Sequence, residues 1–176
     1  FSADASARAR ARAALGLRER DWVIGTAARL APEKDQATLL RAAAPSVRRG
    51  AHLLVAGDGP ERSSLEALAA KLGIAERTRF LGALADVPGF LRTLDVFALS
   101  SRIEGLPMSM LEAMATELPV VATSVGGVVD AIRNGENGYR VPSDDPEALG
   151  AALALVEEDR EAAREMGRRA RDWVLD

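Results

Sequence analysis

Ser101-Arg102-Ile103-Glu104-Gly105-Leu106-Pro107-Met108-Ser109-Met110-Leu111-Glu112-Ala113-Met114-Ala115 is the stretch whose reading decides the fold. It follows an apolar run over 94–99 and precedes another, Pro119-Val120-Val121-Ala122. Both runs read as strands buried on two faces. The stretch between them opens as a loop and continues as a helix. Pro107 suits the first helical position, where a missing N–H costs nothing. The free N–H groups of residues 108–110 would then form a positive helix end that can receive an anion. Glu104 and Glu112 bracket that end, eight positions apart. With Pro107 first, Glu112 sits about 7–8 Å along the axis, at about 1.5 Å per residue. A phosphate at the helix end could then have its sugar hydroxyls held by Glu112. The residues also allow a plainer reading, in which both carboxylates are solvated caps.

Working outward, strands and helices alternate over the whole chain. Residues 4–15 form an Arg-studded helix ending at Gly16. Strands are expected at 22–27, 52–56, 77–81, 95–99, 119–122 and 139–141, and helices at 36–48, 61–72, 86–92, 126–133 and 146–158, with a last Arg/Glu-laced helix running to about 174. Asn134-Gly135-Glu136-Asn137-Gly138 is a dense turn signal. Such alternation predicts an α/β fold: a doubly wound parallel sheet of about six strands with helices on both faces, Rossmann-like, in one domain over 1–176. A ligand of such a sheet sits beyond the carboxyl ends of the strands, where the strand order reverses. The loops that matter are therefore 28–34, 57–60, 82–85, 100–107 and 123–127.

Two cations stand in the first of those loops. Arg29 offers a planar fork matching phosphate oxygens, and Lys34 a point charge. Of the chain's 23 basic residues only Lys34 and Lys71 are lysines. Either the two cations form a diphosphate site, or they make surface ion pairs with Glu33 or Asp35. Gly57-Asp58-Gly59-Pro60 is not the dinucleotide fingerprint, and neither a phosphate-loop lysine motif nor a Ser–His–Asp set can be assembled.

Composition bounds the rest. A chain of 176 residues can bury one sizeable core. A net charge of −3 with scattered arginines gives no reason to expect nucleic acid as a partner. Cysteine is absent, and the single histidine, His52, reads as a strand-edge residue, so no metal is expected. No apolar run approaches the roughly 20 residues of a membrane span. The start, Phe-Ser-Ala-Asp-Ala-Ser, lacks an initiator Met and the features of a signal peptide, which suggests a piece of a longer protein.

Four segments together resemble a known family. They are Gly25-Thr26-Ala27-Ala28-Arg29-Leu30 with Lys34; Leu54-Val55-Ala56-Gly57-Asp58-Gly59-Pro60; Arg79-Phe80-Leu81-Gly82; and Glu104-Gly105-Leu106-Pro107 running on to Leu111-Glu112-Ala113-Met114. Gly126-Gly127 and Asn137-Gly138 add support. In this order they resemble the carboxyl-terminal, donor-binding domain of retaining GT-B glycosyltransferases of family 4, over essentially the whole chain. The resemblance implies transfer of a glycosyl group from a nucleoside-diphosphate sugar, with retention, in concert with an amino-terminal acceptor domain that this chain lacks. The chain alone is then expected to bind a nucleoside diphosphate weakly and to transfer nothing measurable. Arg29 and Lys34 match the positions that bind the diphosphate, and Glu104 the first Glu of the E-x7-E motif, near the transferred sugar. Glu112 matches the second, which holds the ribose hydroxyls. The backbone of Gly105, Leu106, Pro107 and Met108 would cradle phosphates; Gly57 and the backbone of Phe80, Leu81 and Gly82 would complete the donor site at the nucleobase. Pro107 and Leu106 stand where many members have Gly and an aromatic, and Asp130 stands where Glu is more usual. The resemblance also implies a cytoplasmic enzyme, any membrane contact being made by the missing half. Competing expectations are a GT-B-like sugar-nucleotide epimerase or phosphorylase half and a non-catalytic nucleotide-binding domain.

Overall fold

In the computed structural model, which describes residues 5–176, six strands form one sheet. They are β1 (Val23–Ala27), β2 (His52–Ala56), β3 (Thr78–Gly82), β4 (Val96–Leu99), β5 (Val120–Thr123) and β6 (Tyr139–Val141). Their order is β3-β2-β1-β4-β5-β6, and every pair is parallel. The sheet is doubly wound, as the alternation predicts, and its order reverses between β1 and β4. The expected strands begin one residue early at Trp22, Arg77, Asp95 and Pro119. Asp95 still meets β1 just ahead of the ladder: its N–H donates to the Val23 carbonyl at 2.8 Å, and its Oδ2 accepts from the Val23 N–H at 2.8 Å.

Side chains alternate across the strands and so feed two cores. Ile24, Leu53, Val55, Val96, Ala98 and Val121 point into one, with α2 (Gln36–Arg48), α3 (Arg62–Lys71) and α7 (Pro146–Glu158) packed over that face. Leu54, Ala56, Phe97, Leu99, Val120 and Ala122 point into the other. It is covered by α4 (Val87–Thr93), α5 (Met108–Ala115), the four-residue α6 (Val128–Ala131) and α8 (Arg160–Leu175). Helix starts follow the sequence signals: the carboxylates of Asp35, Asp86 and Asp145 accept from Thr38, Gly89 and Ala148 N–H groups.

One expectation about helix bounds needs correction. The helix expected over 126–133 closes at Ala131, because the buried Asn137 side chain caps it: Nδ2 donates to the Ala131 carbonyl at 3.0 Å and Oδ1 accepts from Arg133 N–H at 2.7 Å. The first helix, α1 (Ala5–Ala14), does not carry all its arginines on a solvated face. Arg12 is 1 % exposed. Its guanidinium donates to the carbonyls of Thr93, Arg18, Glu19 and Asp21 and pairs with Asp95 at 2.6 Å.

Candidate functional site

The crevice at the carboxyl ends of β1 and β4 is built from backbone contacts between loops. After β1, Ala28 N–H donates to Ala56 and Leu30 N–H to Asp58, while Glu61 N–H donates to Leu30. Gly57 has φ +120° and Gly59 φ +158°. A Cβ on Gly57 would lie 1.9 Å from the Ala28 carbonyl oxygen, and one on Gly59 would lie 2.3 Å from that of Leu30. These glycines are needed to bring the 57–60 turn against the loop that carries Arg29, a packing role that the sequence does not announce.

Arg29 is exposed, and among the described residues nothing pairs with its guanidinium; its carbonyl accepts from Gln36 Nε2 at 2.8 Å. The chain then makes one 3-10 turn, Pro32–Lys34, and Asp35 enters α2 at φ +46°. Neither local ion pair weighed from the sequence forms. Asp35 faces Arg102 at 3.4 Å, and Lys34 crosses the crevice to Glu104, Nζ to Oε1, at 2.7 Å. Arg102 also holds Asp144 at 2.6 Å; that hydrogen bond first, then the charge of Asp35, raises the Arg102 pKa above its ordinary value.

On the β4 side, Glu104 is no solvated cap. Its side chain is 7 % exposed, and Oε1 accepts from Ser101 Oγ at 2.6 Å as well as from Lys34. The turn after β5 supports this loop, with Gly127 N–H donating to the Gly105 carbonyl at 2.6 Å. Pro107 is the residue before the helix and not its first: it is buried and extended, φ −72° and ψ 109°, the backbone of a cap position, and its carbonyl accepts from Met110 N–H at 3.1 Å. The unpaired N–H groups at this end are consequently those of Met108 and Ser109, not of 108–110. Glu112 is the fifth residue of α5, half-buried, and among the described residues its carboxylate has no partner. Leu106 and Met108 are exposed at 52 % and 64 %, and Ile103 joins them at 69 %, so the helix entrance has an apolar rim.

At β3, Phe80 and Leu81 each pack partly into a different core. The Phe80 carbonyl accepts from Arg62 Nη2 at 3.1 Å, and that of Gly82 from Gly57 N–H at 2.7 Å. These backbone groups are thus already partnered within the protein. His52 opens β2, at the opposite end of the strands from the crevice. Among the described residues no three His, Cys, Asp or Glu side chains gather to hold a metal ion, and no helix is long and apolar enough to cross a membrane.

Ser101 and Thr123 belong to this arrangement and were not singled out by the sequence. Thr123 Oγ1 donates to the Ser101 carbonyl at 2.6 Å. The available signal was the Ser-Ser pair directly after an apolar strand, since hydroxyls there commonly bond nearby backbone.

Solved structures share this architecture. An Anabaena protein, Alr3699/HepE, solved in complex with UDP and glucose, superposes with a TM-score of 0.91 at 26 % identity, covering 99 % of this chain and 48 % of that one. Among curated relatives, the GDP-mannose-dependent alpha-(1-6)-phosphatidylinositol monomannoside mannosyltransferase of Mycobacterium tuberculosis (strain ATCC 25618 / H37Rv) is 36 % identical over 99 % of this chain and 48 % of its own length. The D-inositol 3-phosphate glycosyltransferase of Saccharomonospora viridis is 40 % identical over 94 % of this chain and 41 % of its own. The chain spans about half the length of the curated relatives it matches. The family model described as "Glycosyl transferases group 1" matches from residue 7 to residue 173, and with so nearly complete a match this chain belongs to the group 1 glycosyl transferases.

Proposed function

We propose that the crevice between β1 and β4 binds a nucleoside-diphosphate sugar, and that the full-length protein, with an amino-terminal domain supplying the acceptor, transfers the glycosyl group with retention of configuration. The observation that carries this reading is the Lys34–Glu104 contact, which joins the two loops on either side of the strand-order reversal. Beside it stand an exposed Arg29 and the helix N–H groups of Met108 and Ser109, none of them partnered among the described residues. The Anabaena structures in complex with UDP and with UDP-glucose, and the GDP-mannose dependence in the names of the mycobacterial relatives, support a nucleoside-diphosphate sugar as the ligand class.

In this reading Arg29 and Lys34 face the diphosphate. As the bond from the anomeric carbon to the phosphate oxygen breaks, negative charge grows on the leaving nucleoside diphosphate, and two nearby cations stabilise it more than the ground state. Met108 and Ser109 N–H groups add oriented dipoles. Glu112 accepts from the ribose hydroxyls and Glu104 from a hydroxyl of the sugar, while the backbone of 80–82 lines the base. The apolar rim of Ile103, Leu106 and Met108 supports closure of a second surface over this edge. No metal is assigned a role, and a cytoplasmic place of action belongs to the same proposal.

Calorimetric titration of the chain with UDP, GDP and ADP tests the reading. Arg29→Ala, Lys34→Ala and Glu112→Ala should each lower the affinity of the preferred nucleotide by about tenfold, the value of a charge-assisted hydrogen bond. Unchanged affinity in all three would overturn the donor site.

A further inference from the structure

Ser101 is 1 % exposed and sits at the carboxyl end of β4 between two fixed contacts. Its carbonyl accepts from Thr123 Oγ1 at 2.6 Å, tying it to the end of β5. Its hydroxyl donates to Glu104 Oε1 at 2.6 Å. Lys34 Nζ reaches that same oxygen at 2.7 Å, and the Lys34 carbonyl accepts from Ser100 Oγ at 3.1 Å. One carboxylate oxygen therefore takes two donors, while among the described residues Oε2 takes none. A carboxylate turns readily about its last torsion unless a donor on rigid backbone holds its plane. Here a buried hydroxyl holds one of the two equivalent oxygens.

We propose that Ser101 is a positioning residue of the donor site: its hydroxyl fixes Glu104 so that Oε1 holds the Lys34 ammonium in the crevice before any ligand arrives and Oε2 is turned toward the ligand. Lys34 alone could not do this. It is a flexible chain, 23 % exposed, whose ammonium can follow the carboxylate as it turns. The buried serine, anchored through Thr123, supplies the rigid reference. The ordering entropy of Lys34 is thus met in the folded protein and not at binding. This role rests on the nucleotide-binding reading above, but its structural part can be tested without a nucleotide.

The chain has two lysines, which makes the test direct. With nitrogen-15 in lysine, the Lys34 ammonium of the free wild-type chain should give a protected proton–nitrogen NMR correlation, which Lys71→Arg identifies by leaving it in place. Ser101→Ala, and Ser101→Cys as a near-isosteric weak donor should the alanine fail to fold, should broaden or abolish that signal. The same variants should lower nucleotide affinity by about three- to tenfold, in keeping with one charge-assisted hydrogen bond. In a Glu104→Gln background the serine change should add little further. A protected Lys34 signal that survives in the folded serine variants overturns the proposal, as does its absence from the wild type. Failure of the wild type to bind UDP, GDP and ADP instead overturns the donor reading and leaves the NMR result to stand on its own.

Discussion

A Cβ built on Gly126 would lie 2.0 Å from the carbonyl oxygen of Glu104, so the turn after β5 meets the loop after β4 with no room for a side chain. Gly126 also has φ +51°, a region that costs an L-residue about 1–2 kcal/mol. Gly126→Ala should therefore destabilise the fold by about 2–4 kcal/mol and displace Glu104. Gly135 is the control: its φ is +78°, but nothing lies within 4 Å of its Cβ position. Gly135→Ala should cost only the backbone strain and leave nucleotide binding intact. Equal losses in urea denaturation for the two variants would mean that the loop contact carries no energy.

Arg12 anchors α1 to the opposite edge of the sheet. Arg12→Met keeps the apolar stem but takes one of two guanidinium partners from Asp95, which keeps Arg8 at 2.6 Å, and removes a donor from four carbonyls. Leaving buried acceptors short of a charged donor costs about 1–3 kcal/mol each at most, so a loss of about 2–4 kcal/mol is expected. Arg10, exposed and bonded among the described residues to Ser6 Oγ, should tolerate Met within about 0.5 kcal/mol. Thermal melts of the two variants should differ by many degrees.

The contrast between those arginines shows where the sequence stops being legible. The apolar runs, the Asp caps and the strand–loop–helix rhythm are local signals, and they place all six strands and the edge on which Arg29, Lys34, Glu104 and Glu112 gather. Arg12 looks like its neighbours because its burial depends on two groups over eighty residues away in the chain, the Thr93 carbonyl and the Asp95 carboxylate. The Lys34–Glu104 pair spans a separation of 70. It becomes visible only when the sheet order puts β1 beside β4. Gly57 and Gly59 read as a turn, while their tight fit to Ala28 and Leu30 is a tertiary fact.

Arg29 and Lys34 should separate stability from binding. Arg29→Ala removes an exposed side chain that has no partner among the described residues, so unfolding free energy should stay within about 0.5 kcal/mol while nucleotide affinity falls. Lys34→Ala should cost about 1–3 kcal/mol, since it leaves Glu104 buried with Ser101 as its remaining donor. Raising salt should erode nucleotide affinity of the wild type more than of Arg29→Ala, the exposed charge being the more readily screened. Identical stability in the two variants would show that the Lys34–Glu104 contact is energetically idle.

At the amino edge of the sheet, Asp21 and His52 should make stability fall in two steps on acidification. Asp21 accepts from Arg18 through side chain and backbone at 2.9 and 2.8 Å, and lies 3.8 Å from His52. The Arg18 side-chain hydrogen bond, acting against burial, lowers the Asp21 pKa from 3.8 to about 2. Burial lowers the His52 pKa below 6.5, with Arg77 and Arg79 assisting and Asp21 opposing. Both groups bind protons less readily folded than unfolded, so each contributes a stability that is complete above its unfolded pKa and shrinks below it. The His52 contribution should fade as pH drops through 6.5, and that of Asp21 between about pH 4 and about pH 2. Urea midpoints across pH should show His52→Gln flattening chiefly the first step and Asp21→Asn the second. Asp21→Asn should also deepen the first step, because it removes the anion that offsets the cost of charging His52. If His52→Gln instead steepened the loss between pH 7 and pH 5, the imidazolium would be the form the fold prefers, and the burial argument would be wrong.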